Sequence, residues 1–128
     1  MPRAIDTFVN VNMGSVERPE WLIRVAEDYF GRADAIFKDI EVGELLEAMQ
    51  RAGVEKCILS TDAERPAEHV LKFPAAHPDK FVLSVSLDPR RGMHAIRALD
   101  RVVREQPVVL ARITPFMVGA IPPNEKEY

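Results

Sequence analysis

The stretch that decides the fold is FVLSVSLDPRRGMHAIRALDRVVREQPVVLARI, residues 81–113. It opens with a near-continuous apolar run over residues 81–87 and closes with another over 108–113, and such runs are typical of strands buried on both faces. A helical pattern between them covers about residues 91–105 and is stopped by Pro107. Its apolar positions are predicted to face inward: Met93, Ile96, Leu99, Val102 and Val103. The stretch therefore predicts a β–α–β unit with a right-handed crossover.

The same alternation of strands and helices continues toward the N-terminus. Further strands are predicted at residues 4–11 and 56–60. Helices are predicted at three places: residues 20–30, residues 41–52, and from about Pro66 to a kink or end at Pro74. On the first helix the inward positions are predicted to be Trp21, Leu22, Val25, Ala26 and Tyr29. This order predicts one α/β domain over residues 1–128, with parallel strands in the order 1-2-3-4.

The composition excludes several classes of function. The 128 residues are 47% hydrophobic and 29% charged, as in an ordinary globular protein. A net charge of −3 without a clustered basic face argues against a nucleic-acid partner. No apolar run approaches the ~20 residues of a membrane span, and the N-terminus lacks the apolar segment of a signal peptide. The single cysteine, Cys57, allows no internal disulfide, so the expected compartment is the cytoplasm.

Several short motifs resemble, in their order and spacing, those of a known family. Residues 5–10, IDTFVN, lie where that family's first strand has I-D-x-H-x-H. Residues 45–54, LLEAMQRAGV, are similar to its helix L-L-x-x-M-D-x-A-G-V. Three later pieces also match: HPDKF at 77–81, LDP at 87–89, and ARITP at 111–115 followed by PPN at 122–124. Together they resemble the amidohydrolase-related family, which includes the aminocarboxymuconate-semialdehyde decarboxylase-like enzymes.

The resemblance implies a fold and a class of activity. Family members are (β/α)8 TIM barrels of typically ~250 residues or more, so we expect these parallel βα units to form the first half of such a barrel, in a longer protein. Residues 12–41 are then an insertion between strand one and the first barrel helix, and residues 114–128 a proline-rich tail. The complete protein is expected to be a hydrolase or decarboxylase-like enzyme for a small carboxylate, amide or lactone, with this chain inactive by itself.

The resemblance also implies where a metal would bind. In the family the first-strand H-x-H supplies two imidazole ligands to a divalent metal, commonly zinc, because alternate residues of a strand point to one side. The matching positions here are Phe8 and Asn10. Phenylalanine has no ligating atom, and an amide oxygen is a poor zinc ligand. The other usual ligands, after strand five and at strand eight, would lie beyond Tyr128. We therefore expect a degenerate site, no metal ligands and no cofactor for this chain.

Candidate substrate-binding residues end the predicted strands, where parallel sheets form their sites. They are Asn10, Asn12, Asp62, Asp88, Arg112 and Thr114. Arg112 could clamp a carboxylate with two parallel hydrogen bonds or form a salt bridge within the barrel, and the sequence favours neither. Asp62 and Asp88 are more often N-caps of the following helices. The two asparagines either line a substrate pocket or weakly hold a hard cation or, as we favour, satisfy backbone groups where the chain turns toward Gly14.

The remaining chemical side chains are given structural roles. Asp6 and Arg112 are the catalytic candidates, although a structural role for Asp6 near the barrel floor is favoured. The three histidines, His69, His77 and His94, are predicted on helices or helix ends at the surface. Cys57 is interpreted as a small buried hydrophobe, since no histidine is placed to activate it.

Three classes of function stay open: an enzyme with a degenerate or metal-free site, a non-catalytic ligand-binding or interaction domain, and an independent open-sheet α/β module. In the first two the partner is a small molecule. Half a barrel has two unpaired strand edges, so self-association, or association with the missing half, is also expected. The concave face of the half-barrel is expected to be lined in part by Ile58, Val82, Val85 and Val109.

Overall fold

A computed structural model describes residues 3–15, 17–31, 33–119 and 122–126 of the chain. Four strands form one sheet in the order β1-β2-β3-β4, and each pair of neighbours is parallel. They are β1 (Ala4–Val9), β2 (Val54–Asp62), β3 (Phe81–Ser86) and β4 (Val108–Arg112). The helices are α1 (Glu20–Phe30), α2 (Ala33–Ile36), α3 (Val42–Ala52), α4 (Glu68–Ala76) and α5 (Met93–Glu105). The predicted α/β fold and the predicted strand order are confirmed.

Some predicted boundaries were wrong. β1 ends at Val9, two residues before the predicted end. β2 extends beyond the predicted 56–60 at both ends, because β1 pairs with it from Val54 and β3 pairs with it as far as Asp62. α4 begins at Glu68 and continues past Pro74 to Ala76. A proline this close to the end of a helix removes few hydrogen bonds, and Pro74 is buried in the core.

The predicted inward faces of two helices were also partly wrong. α5 buries Ala95, Ala98 and Val102, whereas Met93, Ile96 and Val103 are 57%, 58% and 50% exposed. The small alanines, which the pattern of large apolar residues overlooks, form the side of the helix that meets the rest of the protein. On α1 only Ala26 is buried, and three predicted inward residues are exposed: Trp21, Val25 and Tyr29.

The core lies between the sheet and its covering helices. Its main cluster contains nine buried residues: Val11, Leu45, Met49, Cys57, Leu59, Val70, Phe73, Phe81 and Leu83. Phe73 of α4 meets Phe81 of β3 edge to face, with ring centroids 5.4 Å apart. A smaller cluster joins Ala63, Val85 and Val102. Val85 therefore faces the helices, not the concave face as predicted, because it shares the side of β3 used by Phe81 and Leu83.

The connection from α3 to β2 is short because of one glycine. Gly53 has a φ of 72°, in the left-handed region, and its N–H donates to the carbonyl oxygen of Gln50. β2 then begins at Val54 without a further loop residue. A glycine in this conformation directly after a helix is a common helix end.

Candidate functional site

The strand register places a row of polar side chains on the side of the sheet that faces away from the core helices, called here the inner face. Ser60 of β2 pairs with Ser84 of β3, and Asp62 pairs with Ser86. Ser86 in turn pairs with Arg112 of β4. These five residues alternate with residues that face the helices, so they share the inner face near the carboxyl ends of the strands. In parallel α/β proteins this is the end at which sites form.

Phe8 of β1 and Arg112 of β4 meet across the inner face. The guanidinium carbon of Arg112 lies 4.5 Å from the centre of the Phe8 ring. β1 and β4 are the outer strands of the sheet, and in a flat sheet they would be about 14 Å apart at ~4.8 Å per strand. Contact between their side chains therefore indicates that the inner face is concave. A cation held over an aromatic ring gains about 0.5–2 kcal/mol and is restrained in position.

Two polar atoms of the inner face are buried without a hydrogen-bond partner among the described residues. They are the hydroxyl oxygen of Ser60 and Nε of Arg112. Ser60 is only 5% exposed. Burial also lowers the pKa of Arg112 from its ordinary value, since it disfavours the charged guanidinium. An unpaired buried polar group costs about 1–3 kcal/mol, more if it is charged, so both atoms are suited to bind a polar ligand or water.

Asp62 holds the loop that follows β2. Its Oδ1 accepts hydrogen bonds from the backbone N–H groups of Glu64 and Arg65, each at 2.9 Å. The hydroxyl of Ser86 lies 3.4 Å from Oδ2. The N-cap residue of α4 is Ala67, so the prediction that Asp62 caps this helix was wrong. Asp62 fixes the loop through the backbone N–H groups of Glu64 and Arg65 instead.

Asp88 has the capping role that its sequence position indicated, but for a short 3-10 turn at Pro89–Arg91 that precedes α5. Its Oδ1 accepts from the N–H of Arg90 at 3.0 Å, and its Oδ2 lies 2.7 Å from Nη2 of the same residue. The hydrogen bond from the Arg90 side chain is the main reason why the pKa of Asp88 is lowered. Asp88 is thereby committed to its own turn.

Asp62 and Asp88 also line a polar cavity of about 550 Å³ beside the carboxyl ends of β2 and β3. Its other lining residues are Glu64, Arg65, Arg91, His94, Ala98 and Arg101. Nε of Arg91 lies 3.2 Å from a carboxylate oxygen of Glu64, which ties the start of α5 to the loop after β2. The acidic groups of this cavity are therefore engaged in the contacts that hold its walls together.

Replacing Asp88 with alanine should lower the free energy of unfolding by about 0.5–2 kcal/mol at pH 7, the usual effect of removing a cap. The folded-state pKa of Asp88 lies below its ordinary 3.8. The contribution of the ionised carboxylate is thus present above pH 3.8 and is lost as the pH falls through the folded-state pKa. Urea unfolding of wild type and variant should therefore show a smaller difference in the free energy of unfolding at pH 3 than at pH 7.

Asp100→Ala is the matched control for that measurement. Within the described part of the chain, the recorded hydrogen-bond and ion-pair partner of Asp100 is Arg104, an exposed residue of the same helix, at 3.2 Å. An exposed pair of this kind contributes about 0.3–0.5 kcal/mol. The capping role would be contradicted if Asp88→Ala lost no more unfolding free energy than Asp100→Ala, or if its loss were the same at pH 3 as at pH 7.

The remaining candidates are spread around β1 and the loop after β4. Oδ1 of Asp6 accepts from the N–H of Phe8 at 3.1 Å, which agrees with the favoured structural role. The backbone of Asn12 forms an antiparallel bridge with Asp39. Asn10 and Thr114 are half-buried, and no side-chain hydrogen bond of theirs is seen within the described residues. The structure therefore brings Arg112 and Phe8 together. It does not connect the side chains of the two asparagines by a hydrogen bond within the described residues.

The histidines differ in their surroundings. His94 is exposed, as predicted. His69 is not a simple surface residue, because its Nε2 lies 2.8 Å from the carbonyl oxygen of Ile40 and its ring meets Phe73 edge to face at 5.7 Å. It connects α4 to the segment before α3, a contact between distant parts of the chain that its local sequence does not indicate. His77 is half-buried and packs near Phe81.

Cys57 is buried, 1% exposed, on the helix side of β2. Burial, with a smaller contribution from the negative charge of Asp6, raises the pKa of its thiol from 9.0 to about 11. Alkylation requires the thiolate. We therefore expect iodoacetamide at pH 8 to modify Cys57 only as the protein unfolds, and mass spectrometry in 0 M and denaturing urea measures this. This expectation would be contradicted if iodoacetamide modified Cys57 in the folded protein as fast as it modifies the thiol of free glutathione.

The residues present do not fit a divalent metal. Within residues 3–15, 17–31, 33–119 and 122–126, no three histidine, cysteine, aspartate or glutamate side chains lie close enough to hold one. Phe8 occupies the position at which the resembling family has the first histidine of its H-x-H motif. The guanidinium of Arg112 covers the Phe8 ring. The donor set on the inner face consists of hydroxyls and one carboxylate that a loop already engages. It is a set for a polar organic ligand.

The sequence missed two parts of this site. Ser84 and Ser86 were not singled out, although polar residues at alternate positions of an otherwise apolar strand, FVLSVS, were a usable signal. The contact between Phe8 and Arg112 depends on the curvature of the sheet and has no local signal. None of the helices in the described part of the chain is both long and apolar enough to cross a membrane.

Comparisons with known proteins bear on the fold. No protein-family model matches the chain, and no curated protein matches its sequence. Among solved structures, it is similar to the crystal structure of 2,6-dihydroxybenzoate decarboxylase complexed with 2,6-dihydroxybenzoate, with a TM-score of 0.57 and 17% identity. That protein is a TIM-barrel enzyme of the amidohydrolase superfamily. The match covers 89% of this chain and 40% of the decarboxylase. The chain thus has the α/β fold of parallel βα units found in a TIM-barrel enzyme, and it spans less than half of that enzyme's length.

Proposed function

We propose that this chain is part of an amidohydrolase-related enzyme, a hydrolase or decarboxylase-like protein for a small carboxylate, amide or lactone. In this proposal the first-strand metal site is degenerate and the substrate lies on the inner face. The observation that carries it is the buried Nε of Arg112, which has no hydrogen-bond partner among the described residues. The enzyme would work in the cytoplasm, where a single reduced cysteine is ordinary.

The geometry supports a carboxylate as the group that is bound. A guanidinium offers a planar set of donors that matches a carboxylate with two parallel hydrogen bonds. Contact with the Phe8 ring at 4.5 Å restrains Arg112, so less conformational freedom is lost on binding. The hydroxyl of Ser60 is an additional buried donor or acceptor on the same face. An aromatic carboxylate such as 2,6-dihydroxybenzoate, the ligand named for the structural neighbour, is therefore a suitable probe.

A non-catalytic ligand-binding or interaction domain is the second candidate function. Phe8 and Asn10 stand where the resemblance places imidazole ligands, and this favours a site that binds without catalysing a reaction. The two functions differ in turnover. Release of carbon dioxide from the probe, or hydrolysis of an amide or lactone analogue, would support the enzyme, whereas binding without either would support the second candidate.

The test is a titration of the probe followed by NMR, observing the side-chain Nε–H signal of Arg112. Wild type should bind, and Arg112→Gln should weaken binding at least about tenfold, since a charged hydrogen bond contributes about 1.5–3 kcal/mol. Arg104→Gln is the matched control, because Arg104 is an exposed arginine of α5 that contacts Asp100. Equal affinity of Arg112→Gln and wild type would overturn the proposed site.

A further inference from the structure

We propose that the Arg112 guanidinium takes the place of a metal cation at this site, with Phe8 as its support, and that it supplies the positive charge for the oxygen of an anionic ligand. The identity of that ligand as a carboxylate rests on the proposed function. The exchange of a metal for a guanidinium rests on the resemblance for the position of the metal and on the observed contact for the position of the guanidinium. Phe8 stands at a metal-ligand position of the resemblance, and the cation over it comes from the opposite edge of the sheet.

The support of the guanidinium is specific to an aromatic residue at position 8. An imidazole that ligates a metal points a nitrogen lone pair at the cation, whereas the Phe8 ring presents its electron-rich face to the guanidinium at 4.5 Å. Phe8 is 60% exposed, so its ring lies on an open part of the inner face, where the Arg112 guanidinium contacts it. A histidine at this position could ligate a metal, whereas a phenylalanine has no ligating atom and offers only its ring face to a cation.

The described residues do not neutralise the charge of Arg112. No ion pair of Arg112 occurs among the described residues. The acidic residue of the inner face nearest in register, Asp62, accepts hydrogen bonds from two loop N–H groups and lies near the hydroxyl of Ser86. A partly buried positive charge without an acidic partner is stabilised when an anion binds. The site therefore favours an anion and disfavours a second cation.

A guanidinium and a dication cannot share this position. At a separation like that between Arg112 and the Phe8 ring, repulsion between one and two positive charges lowers the affinity for the dication more than about tenfold, even at the dielectric constant of water. The presence of Arg112 is consequently a direct obstacle to metal binding, in addition to the lack of ligands at positions 8 and 10.

The zinc arm of the test uses this repulsion. The double variant Phe8→His/Asn10→His is prepared with Arg112 intact, with Arg112→Ala, and with Arg104→Ala as the matched control. Calorimetric titration with Zn²⁺ should show at least about tenfold tighter binding when Arg112 is removed and no change when Arg104 is removed. Equal affinity with and without Arg112, including no measurable binding in either, would overturn the proposal, as would stoichiometric zinc in purified wild type.

The ligand arm uses benzoate as the probe. Its affinity for wild type should be the same within twofold after EDTA treatment and after addition of Zn²⁺. Arg112→Gln should weaken benzoate binding at least about tenfold. Arg112→Lys keeps the positive charge and should therefore retain more of the wild-type affinity than Arg112→Gln. Loss of benzoate binding in EDTA would overturn the exchange of metal for guanidinium. If wild type binds no benzoate, the carboxylate function fails, while the zinc arm still decides whether Arg112 excludes a metal.

Discussion

Replacing Phe73 with alanine is expected to lower the free energy of unfolding by about 3–5 kcal/mol, the range for removing a large aromatic residue from a core. Phe73 is 0% exposed and touches two further rings edge to face, those of Phe81 at 5.4 Å and His69 at 5.7 Å. Domains are commonly stable by only about 5–15 kcal/mol, so the variant should lose a large part of its stability. Urea unfolding followed by circular dichroism measures the loss.

Phe30→Ala is the control for that experiment. Phe30 ends α1 and is 68% exposed, so the same chemical change should alter the free energy of unfolding by no more than about 0.5 kcal/mol. Similar losses for the two variants would show that α4 does not pack on the sheet as described.

Self-association is the second large effect that we expect. β1 and β4 each have a neighbouring strand on one side only within the described sheet. Exposed apolar residues lie on or beside these edges: Ile5 at 57%, Val109 at 55% and Leu110 at 47%. Covering even ~400 Å² of apolar surface would contribute about 10 kcal/mol. Analytical ultracentrifugation at micromolar concentration should therefore detect dimers or larger species, or a complex with a segment that completes the barrel.

A charged residue on the β4 edge should reverse this association. Val109→Lys places a positive charge on an edge strand, the usual protection against edge-to-edge pairing, and should shift the protein toward monomer by at least about tenfold in dissociation constant. Tyr29→Lys on α1, where the residue is 82% exposed, is the matched control and should have no effect. A wild-type monomer of 14.4 kDa with a sharp unfolding transition and no dye binding would contradict the prediction.

The sequence located the strands of the described sheet, although not all of their ends, because strands of a parallel sheet are rich in apolar residues, as in FVLSVS of β3. It was partly wrong at the face of α5, where periodicity selected Met93 and Ile96, which are exposed, and overlooked Ala95 and Ala98, which are buried. Periodicity locates the apolar side of a helix only approximately, to within one row of residues that run along the helix axis. How closely a helix approaches a sheet decides which row is buried, and that distance is a property of the packed structure.

The candidate site was predictable where it depends on strand ends and not where it depends on shape. Arg112 and Asp88 follow from the rule that sites form at the carboxyl ends of parallel strands. The partner of Arg112 is a residue of the opposite edge, and only the curvature of the sheet brings Phe8 within 4.5 Å. The bond from His69 to the carbonyl of Ile40 is similarly non-local. Pair contacts between distant segments leave no periodic pattern in a single sequence.

The order of strands in the sheet follows their order in the chain, and this bears on how the protein folds. β2, β3 and β4 are joined by single helices, so the loops that close when they pair are short and the associated entropy loss is modest. β1 is separated from β2 by α1, α2 and α3, so its pairing closes the longest loop and has the highest contact order. We expect pulsed hydrogen exchange during refolding to protect the amides of β1 last. The contact between Phe8 and Arg112 would then be among the final steps of folding, and the inner face would acquire its curvature only when β1 joins the other three strands.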